Sequence, residues 1–250
     1  MPGKPLKKFL TAAGTLAFWL LIWWAVSLIV SQELLLPSPW RVAQTLLRMW
    51  GTAAFWRAVA LSLLRVACGF LSAVAVGALL AVLTARHALL RTLLRPLLYT
   101  VRAVPVASFI ILLYLWIRVQ ILPGFVAFLM VLPLVWTNLS EGIAHTDRGL
   151  LEMAQVYRFG RLRTLREVWL PSVRPYAAAA FSTGLGFAWK SGIAAEVICG
   201  PQNAIGTGLK NAKAYLETPE VFAWTVTVVV LSVLLERLLL RIVREGRAKP

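Results

Sequence analysis

The chain has 250 residues, 60% of them hydrophobic and 14% charged, with 26 Lys and Arg against 10 Asp and Glu for a formal charge of +16. Soluble domains carry about 25% charged and roughly 45–50% apolar residues, so this composition excludes a water-soluble globule and points to a polytopic membrane protein built from spans of about 20 residues. The excess of positive charge leaves nucleic-acid binding and the basic bias of cytoplasmic loops as rival explanations, which position along the chain separates.

The apolar run at 9–30 (FLTAAGTLAFWLLIWWAVSLIV) is about one bilayer thick and follows Lys4, Lys7 and Lys8. It exceeds the roughly 7–15 residues of a signal-peptide core and no A-x-A-like cleavage site follows, so it reads as a retained first span with a cytoplasmic N-terminus. Ser38 can cap a helix that has Pro39 at its first position, and Val42, Leu46, Met49 and Trp50 then share a face. An amphipathic helix over 39–50, lying at the outer surface, is expected. A second span over 59–83 is interrupted only by Arg65, and its Gly69 and Gly77 are small enough for close helix packing. The third span, 93–117, contains Pro96 and Pro105 and should be kinked. A fourth runs over 121–139 and a fifth over 175–198. Thr218, Pro219 and Glu220 then signal a helix start, and the sixth span covers 221–240.

Six spans make an all-α, polytopic single domain with both termini cytoplasmic. The basic residues agree. Lys4, Lys7, Lys8, Arg86, Arg91, Arg95, Arg102, Arg148, Arg158, Arg161, Arg163, Arg166, Arg174, Arg237, Arg241, Arg244, Arg247 and Lys249 fall on the expected inner side. Only Arg41, Arg48, Arg57, Arg118, Lys210 and Lys213 fall on the outer side. This alternation accounts for most of the charge through the lipid bilayer alone, and no nucleic acid is expected as a partner. Cys68 and Cys199, the only cysteines, lie in apolar segments and read as packing residues. Their number excludes a disulfide framework or zinc site, and His87 and His145 sit at span ends as ordinary interfacial residues.

The connection at 144–171 is too long for a plain turn. Leu150, Ala154 and Tyr157 share one helical face, and Gly160 follows where a helix can end in a left-handed residue. Leu162, Leu165 and Trp169 share the face of a second short helix, with Arg163, Arg166 and Glu167 elsewhere, and Pro171 should end it. Two short helices at an angle on the cytoplasmic face are therefore expected. The pattern alone fits either a docking platform or a basic amphipathic segment resting on anionic lipid.

Ionisable residues inside spans are functional candidates. Lys190, flanked by Trp189 and Gly192, lies nearest a span centre. It could attract an anionic substrate, pair with a carboxylate such as Glu196 of a partner subunit, or satisfy a packing contact. Glu196 is about 600° around the helix from Lys190, so the two do not share a face. Arg102, Glu141 and Glu236 lie near the inner surface and should snorkel to it, while Gly184, Gly186 and Ala188 could line a dimer interface.

The 152–171 stretch resembles the cytoplasmic loop of integral subunits of bacterial ATP-binding-cassette importers, written EAA, three residues, Gly, nine residues, Ile, one residue, Leu-Pro. Glu152, Met153 and Ala154 match the triplet with Met in the middle; Val168 matches Ile; Leu170 and Pro171 match Leu-Pro. The motif's Gly falls on Arg158, and Gly160, two residues later, is the expected source of the turn. LPSPWRV, Phe55-Trp56, SLLRVACGF at 62–70, AWKSGIAAEVI at 188–198 and YLETPEVFAWT at 215–225 resemble the nitrate, sulfonate and taurine permease branch.

The resemblance implies the permease fold of that family and an ATPase-coupling set of Glu152, Met153, Ala154, Tyr157, Arg158, Gly160, Val168, Leu170 and Pro171. Glu152 would face basic residues of an ATPase, and Ala154 would allow close approach. It further implies a bacterial inner-membrane homodimer partnered by two ATPase subunits and an extracytoplasmic substrate-binding protein. ATP and Mg would sit on the ATPase, with no cofactor in this chain. Lys190, Glu196 and Trp189 are the substrate-pathway candidates. The branch moves small anions such as nitrate and sulfonates, and also cyclic vitamin precursors. This chain lacks a GxxxxGK[ST] phosphate cradle, since GTGLK at 206–210 has neither the spacing nor the hydroxyl, and it offers no Ser-His-Asp set. An ion-coupled secondary transporter is the alternative, but its broken repeated halves and paired intramembrane carboxylates are not evident.

Overall fold

The computed structural model describes residues 4–245 and, over them, is helical throughout. In chain order the helices are α1 (Lys4–Val30), α2 (Pro39–Trp50), α3 (Ala53–Arg86), α4 (Ala88–Ala103), α5 (Val106–Tyr114), α6 (Leu122–Ala144), α7 (Arg148–Val156), α8 (Arg161–Thr164), α9 (Leu170–Cys199), α10 (Ile205–Ala214) and α11 (Thr218–Glu245), with a π-helical turn (Leu165–Trp169) joining α8 to α9. The side chains of Lys4, Lys7, Lys8, Arg244, Arg247 and Lys249, which carry part of the charge argument, lie outside the described residues.

Three helices, α3, α6 and α9, form the centre, and glycines set how closely they approach. A Cβ on Gly69 would collide with the backbone carbonyl of Gly124, and one on Gly124 would come within 2.7 Å of the Arg65 carbonyl. Gly77 rests on Val135 and Gly192 on Val66, each leaving under 3 Å for an added Cβ. Backbones brought this near gain dispersion contacts that bulkier residues would forbid, which is how membrane helices associate without a hydrophobic driving force.

Among the described residues four helices are long and apolar enough to cross a membrane: Ala13–Val30, Ala53–Arg86, Leu122–Ala144 and Thr218–Leu239. The span expected at 93–117 is instead two helices, α4 and α5, meeting at 104°, and counts as a fifth only if the bent pair is one span. Proline 105 does more than kink the segment. It lacks an N–H and drives Val104 to extended backbone (φ −76°, ψ 132°), so the helix stops and restarts. Pro96 stays within α4. Helix α9, expected as the span at 175–198, is 30 residues long, about 45 Å at 1.5 Å per residue, but is not apolar enough to join that set. Its central position explains this: Ala180, Gly184, Ala188, Gly192 and Ala195 are buried against the chain itself, so small and polar residues serve it where lipid-facing helices need long apolar ones.

Helix α2 presents a buried face and an exposed one. Ser38 caps it by accepting the Arg41 N–H at 3.4 Å, with Pro39 in the first turn. Val42 and Thr45 are buried and Leu46 and Met49 half-buried, while Trp50, expected on that face, is exposed beside Trp56. Cys199 is buried, but Cys68, expected to pack inside, is exposed on α3. At the end of the bundle remote from α7, Trp23 of α1 stacks on Phe222 of α11 (5.6 Å) and donates to the Pro37 carbonyl at 3.2 Å.

Candidate functional site

The segment between α6 and α9 is an elbow. Asp147 opens α7 by accepting the Gly149 N–H at 2.7 Å. At the far end of α7 the Phe159 N–H reaches the Ala154 carbonyl (2.8 Å) and the Arg158 N–H the Gln155 carbonyl (3.0 Å), the two bonds of a left-handed helix terminus. The left-handed residue is Arg158, at φ +51°. Gly160, expected to supply the turn, has φ −64° and instead precedes the first turn of α8. The left-handed residue therefore falls where the motif has glycine, although this chain holds arginine there.

Pro171 does not end the second helix. Leu170 donates its N–H to the Leu165 carbonyl, an i→i−5 bond, and α9 continues through Pro171. The wider π turn accommodates a residue that has no N–H and whose ring crowds the preceding turn. Residues 161–199 thus form one unbroken helical path from the elbow into the centre of the bundle.

The elbow closes on itself through small and aliphatic residues. Ala154 (3% exposed) and Val168 (1%) are buried within the chain, so the methyl of Ala154 serves the elbow's own packing. Arg163 lies 3.9 Å above the Phe159 ring and 3.7 Å from Glu167. Facing outward are Glu152 and Met153, with Val156 78%, Tyr157 71% and Leu162 61% exposed. The face expected to unite Leu150, Ala154 and Tyr157 is therefore divided between inward Ala154 and outward Tyr157. This outer apolar surface is bordered by Arg158, Arg161 and Arg166, all exposed.

The charged residues of α3, α9 and α11 separate into two groups. Glu196 is fully buried; its Oε2 accepts from Ser62 Oγ (2.8 Å) and the Gly206 N–H (3.1 Å), and its Oε1 lies 3.3 Å from Arg65 Nη1. Ser62 Oγ also accepts the Ile205 N–H at 3.0 Å. Arg65 donates further to Gln120 Oε1 (3.1 Å) and to the carbonyls of Gln202 (2.9 Å) and Asn203 (3.2 Å). This knot joins α3, α9, the start of α10 and the loops beside them. Sequence reasoning placed Glu196 in the substrate pathway or against a partner's lysine, and missed its pairing with Arg65. The available signal was that each is an ionisable residue of opposite sign within a span.

Trp189 is also turned inward: it is 1% exposed and its indole N–H donates to the Val228 carbonyl at 3.1 Å, tying α9 to α11. Of the small residues expected at an interface, Gly184 faces Val131 and Ala188 is fully buried, so both serve the chain's own core, while Gly186 has open space before it. Lys190 is exposed and lines a cleft of about 330 Å³ between α9 and α11, where Glu236 also lies. Lys190 and Glu196 are therefore not brought together.

Comparison with known proteins gives a consistent result. Residues 73–245 match the family described as "Binding-protein-dependent transport system inner membrane component". The taurine transport system permease protein of Escherichia coli (strain K12) is 27% identical over 240 residues, covering 93% of this chain and 87% of the relative. A putative aliphatic sulfonates transport permease protein of Bacillus subtilis (strain 168) is 27% identical over 233 residues, 89% and 81% of the two chains. The bicarbonate transport system permease protein of Synechococcus elongatus is 30% identical over 162 residues, 64% and 57% of the two chains.

Proposed function

The chain belongs to the family of binding-protein-dependent transport system inner membrane components, ATP-binding-cassette importer permeases for small solutes, and from that premise we propose how this one works. The 150–171 elbow docks on a cytoplasmic ATPase subunit, and a homodimer of this chain carries two such subunits and receives solute from an extracytoplasmic binding protein. ATP and Mg act on the ATPase alone. The bundle is a six-span permease in which α9 and the bent α4–α5 pair each count as a crossing, with both termini in the cytoplasm. The solute carries an oxyanion, a reading supported by relatives named for taurine, aliphatic sulfonates and bicarbonate.

The observation that carries this reading is the continuous helix from Arg161 to Cys199. A push on the elbow reaches α9 as a rigid-body displacement, without a hinge at Pro171 to absorb it. Because α9 packs at the centre and carries Lys190, moving it changes the surface that a passing solute meets. Two packings of such a bundle give the bistable element that alternating access requires. Val156, Tyr157 and Leu162 supply apolar contact to the ATPase cleft, and exposed Glu152 supplies a carboxylate for its basic residues.

Two variants separate docking from transmission. Glu152→Lys should weaken co-purification of the ATPase at least tenfold and lower ATP-driven uptake in proportion. Two glycines inserted after Thr164 should leave the ATPase bound yet abolish uptake, because they break the helical path while sparing the docking face. Normal uptake by the insertion variant would overturn the transmission role.

A further inference from the structure

We propose that the cleft between α9 and α11 is a subsite for a small zwitterion, with Lys190 taking its oxyanion and Glu236 its ammonium; this rests on the permease reading above and names the solute class more narrowly.

The two helices run antiparallel. Trp189 of α9 meets Val228 of α11 through its indole N–H, and Ser182, Thr183, Leu235 and Glu236 line the same cleft. Side chains on a helix lean toward its N-terminus. That starting direction carries Lys190 along α9 toward Gly186 and Glu236 along α11 toward Ser232, all four lining the cleft. They form no ion pair within 4.0 Å, the ion pairs among the described residues being Arg41–Glu33, Arg65–Glu196 and Arg163–Glu167.

The hydroxyls point the same way. Ser and Thr within helices commonly return a hydrogen bond to the carbonyl four residues back, and Ser191, Thr225 and Thr227 of these same helices do so at 2.7–2.9 Å. The hydroxyls of Ser182, Thr183 and Ser232, all lining the cleft, make no hydrogen bond among the described residues. Five polar groups with unused hydrogen-bonding capacity thus converge between two helices of an inner-membrane protein, where idle polar groups are costly. A ligand with opposite charges a few bonds apart fits between a lysine and a glutamate that do not reach each other. A simple anion would leave Glu236 facing it unpaired.

The test uses the full chain, co-purified with its partner ATPase subunit and reconstituted in lipid nanodiscs. Binding of radiolabelled taurine, ethanesulfonate and ethylammonium is measured by scintillation proximity. Saturable taurine binding is expected, with ethanesulfonate and ethylammonium each at least tenfold weaker. Lys190→Met and Glu236→Gln should each weaken taurine at least tenfold, whereas Lys190→Arg and Glu236→Asp should recover most of it. Ethanesulfonate should respond to Lys190→Met alone. Equal binding of taurine and ethanesulfonate, indifference to Glu236→Gln, or no saturable binding would each overturn the proposal. ATPase retained on the wild-type chain while any of these occurs leaves the permease reading standing. Failure of the wild-type chain to hold the ATPase counts against that reading instead, and the binding result still decides the subsite.

Discussion

The knot around Arg65 and Glu196 and the cleft around Lys190 and Glu236 use the same chemical ingredients and come to opposite ends. Each sets one cation and one carboxylate, with hydroxyls beside them, between packed helices. In the knot every partner is supplied by the chain: Glu196 is fully buried and accepts three bonds, and Arg65 is shared with two loop carbonyls and a glutamine. In the cleft the charged groups stay apart and exposed, and the hydroxyls are idle. The difference teaches that an intramembrane charge does not by itself mark a pathway. What separates the two sites is whether the chain itself satisfies their hydrogen bonds.

The sharpest way to break the comparison is to remove one partner from each. Glu196→Ala leaves Arg65, whose side chain is 13% exposed, without its counter-charge, and loss of one member of a buried pair costs about 3–5 kcal/mol. A large fall in the thermal midpoint of the detergent-solubilised chain is expected. Lys190→Met, by contrast, should change that midpoint little, since no interaction within the chain is lost. Equal effects would erase the distinction.

The next largest effect concerns the packing that holds the knot in place. Gly69→Val puts branched carbon against the Gly124 carbonyl, next to Arg65, and overpacking of this kind costs about 1–3 kcal/mol. The thermal midpoint should fall while Gly186→Ala, with open space before it, leaves it unchanged. The smallest effect is at the elbow. Arg158 holds a left-handed conformation that glycine adopts freely, so Arg158→Gly should stabilise the elbow by up to about 1 kcal/mol. Proteolysis within 145–170 should slow.

Much of the elbow was legible in the sequence, because its signals are local. The triplet at Glu152 to Ala154, the apolar spacing and the Leu170-Pro171 exit announced two short helices; α7 forms as one, while the second runs on through the π turn into α9. The turn itself was misplaced onto Gly160, since glycine is the residue one looks for at a left-handed position and Arg158 occupies it instead. Proline was misread in both directions. Pro171 ends nothing because a π turn precedes it, and Pro105 breaks a span that it was expected only to bend. The same residue type gave opposite outcomes because the neighbouring turn, which no composition rule encodes, decides whether a missing N–H can be absorbed.

Composition, apolar run length and the order of motifs were sufficient to determine an all-helical inner-membrane permease, because burying backbone in lipid demands helices of a set length and leaves that demand written in consecutive residues. Tertiary structure alone decided that Glu196 belongs to Arg65 more than a hundred residues earlier, that Trp189 faces inward, and that Glu236 shares a cleft with Lys190. Such pairings depend on the rotation of each helix about its axis and on the glycine contacts that fix helix spacing. Neither quantity is periodic in the sequence, so neither could be read from it.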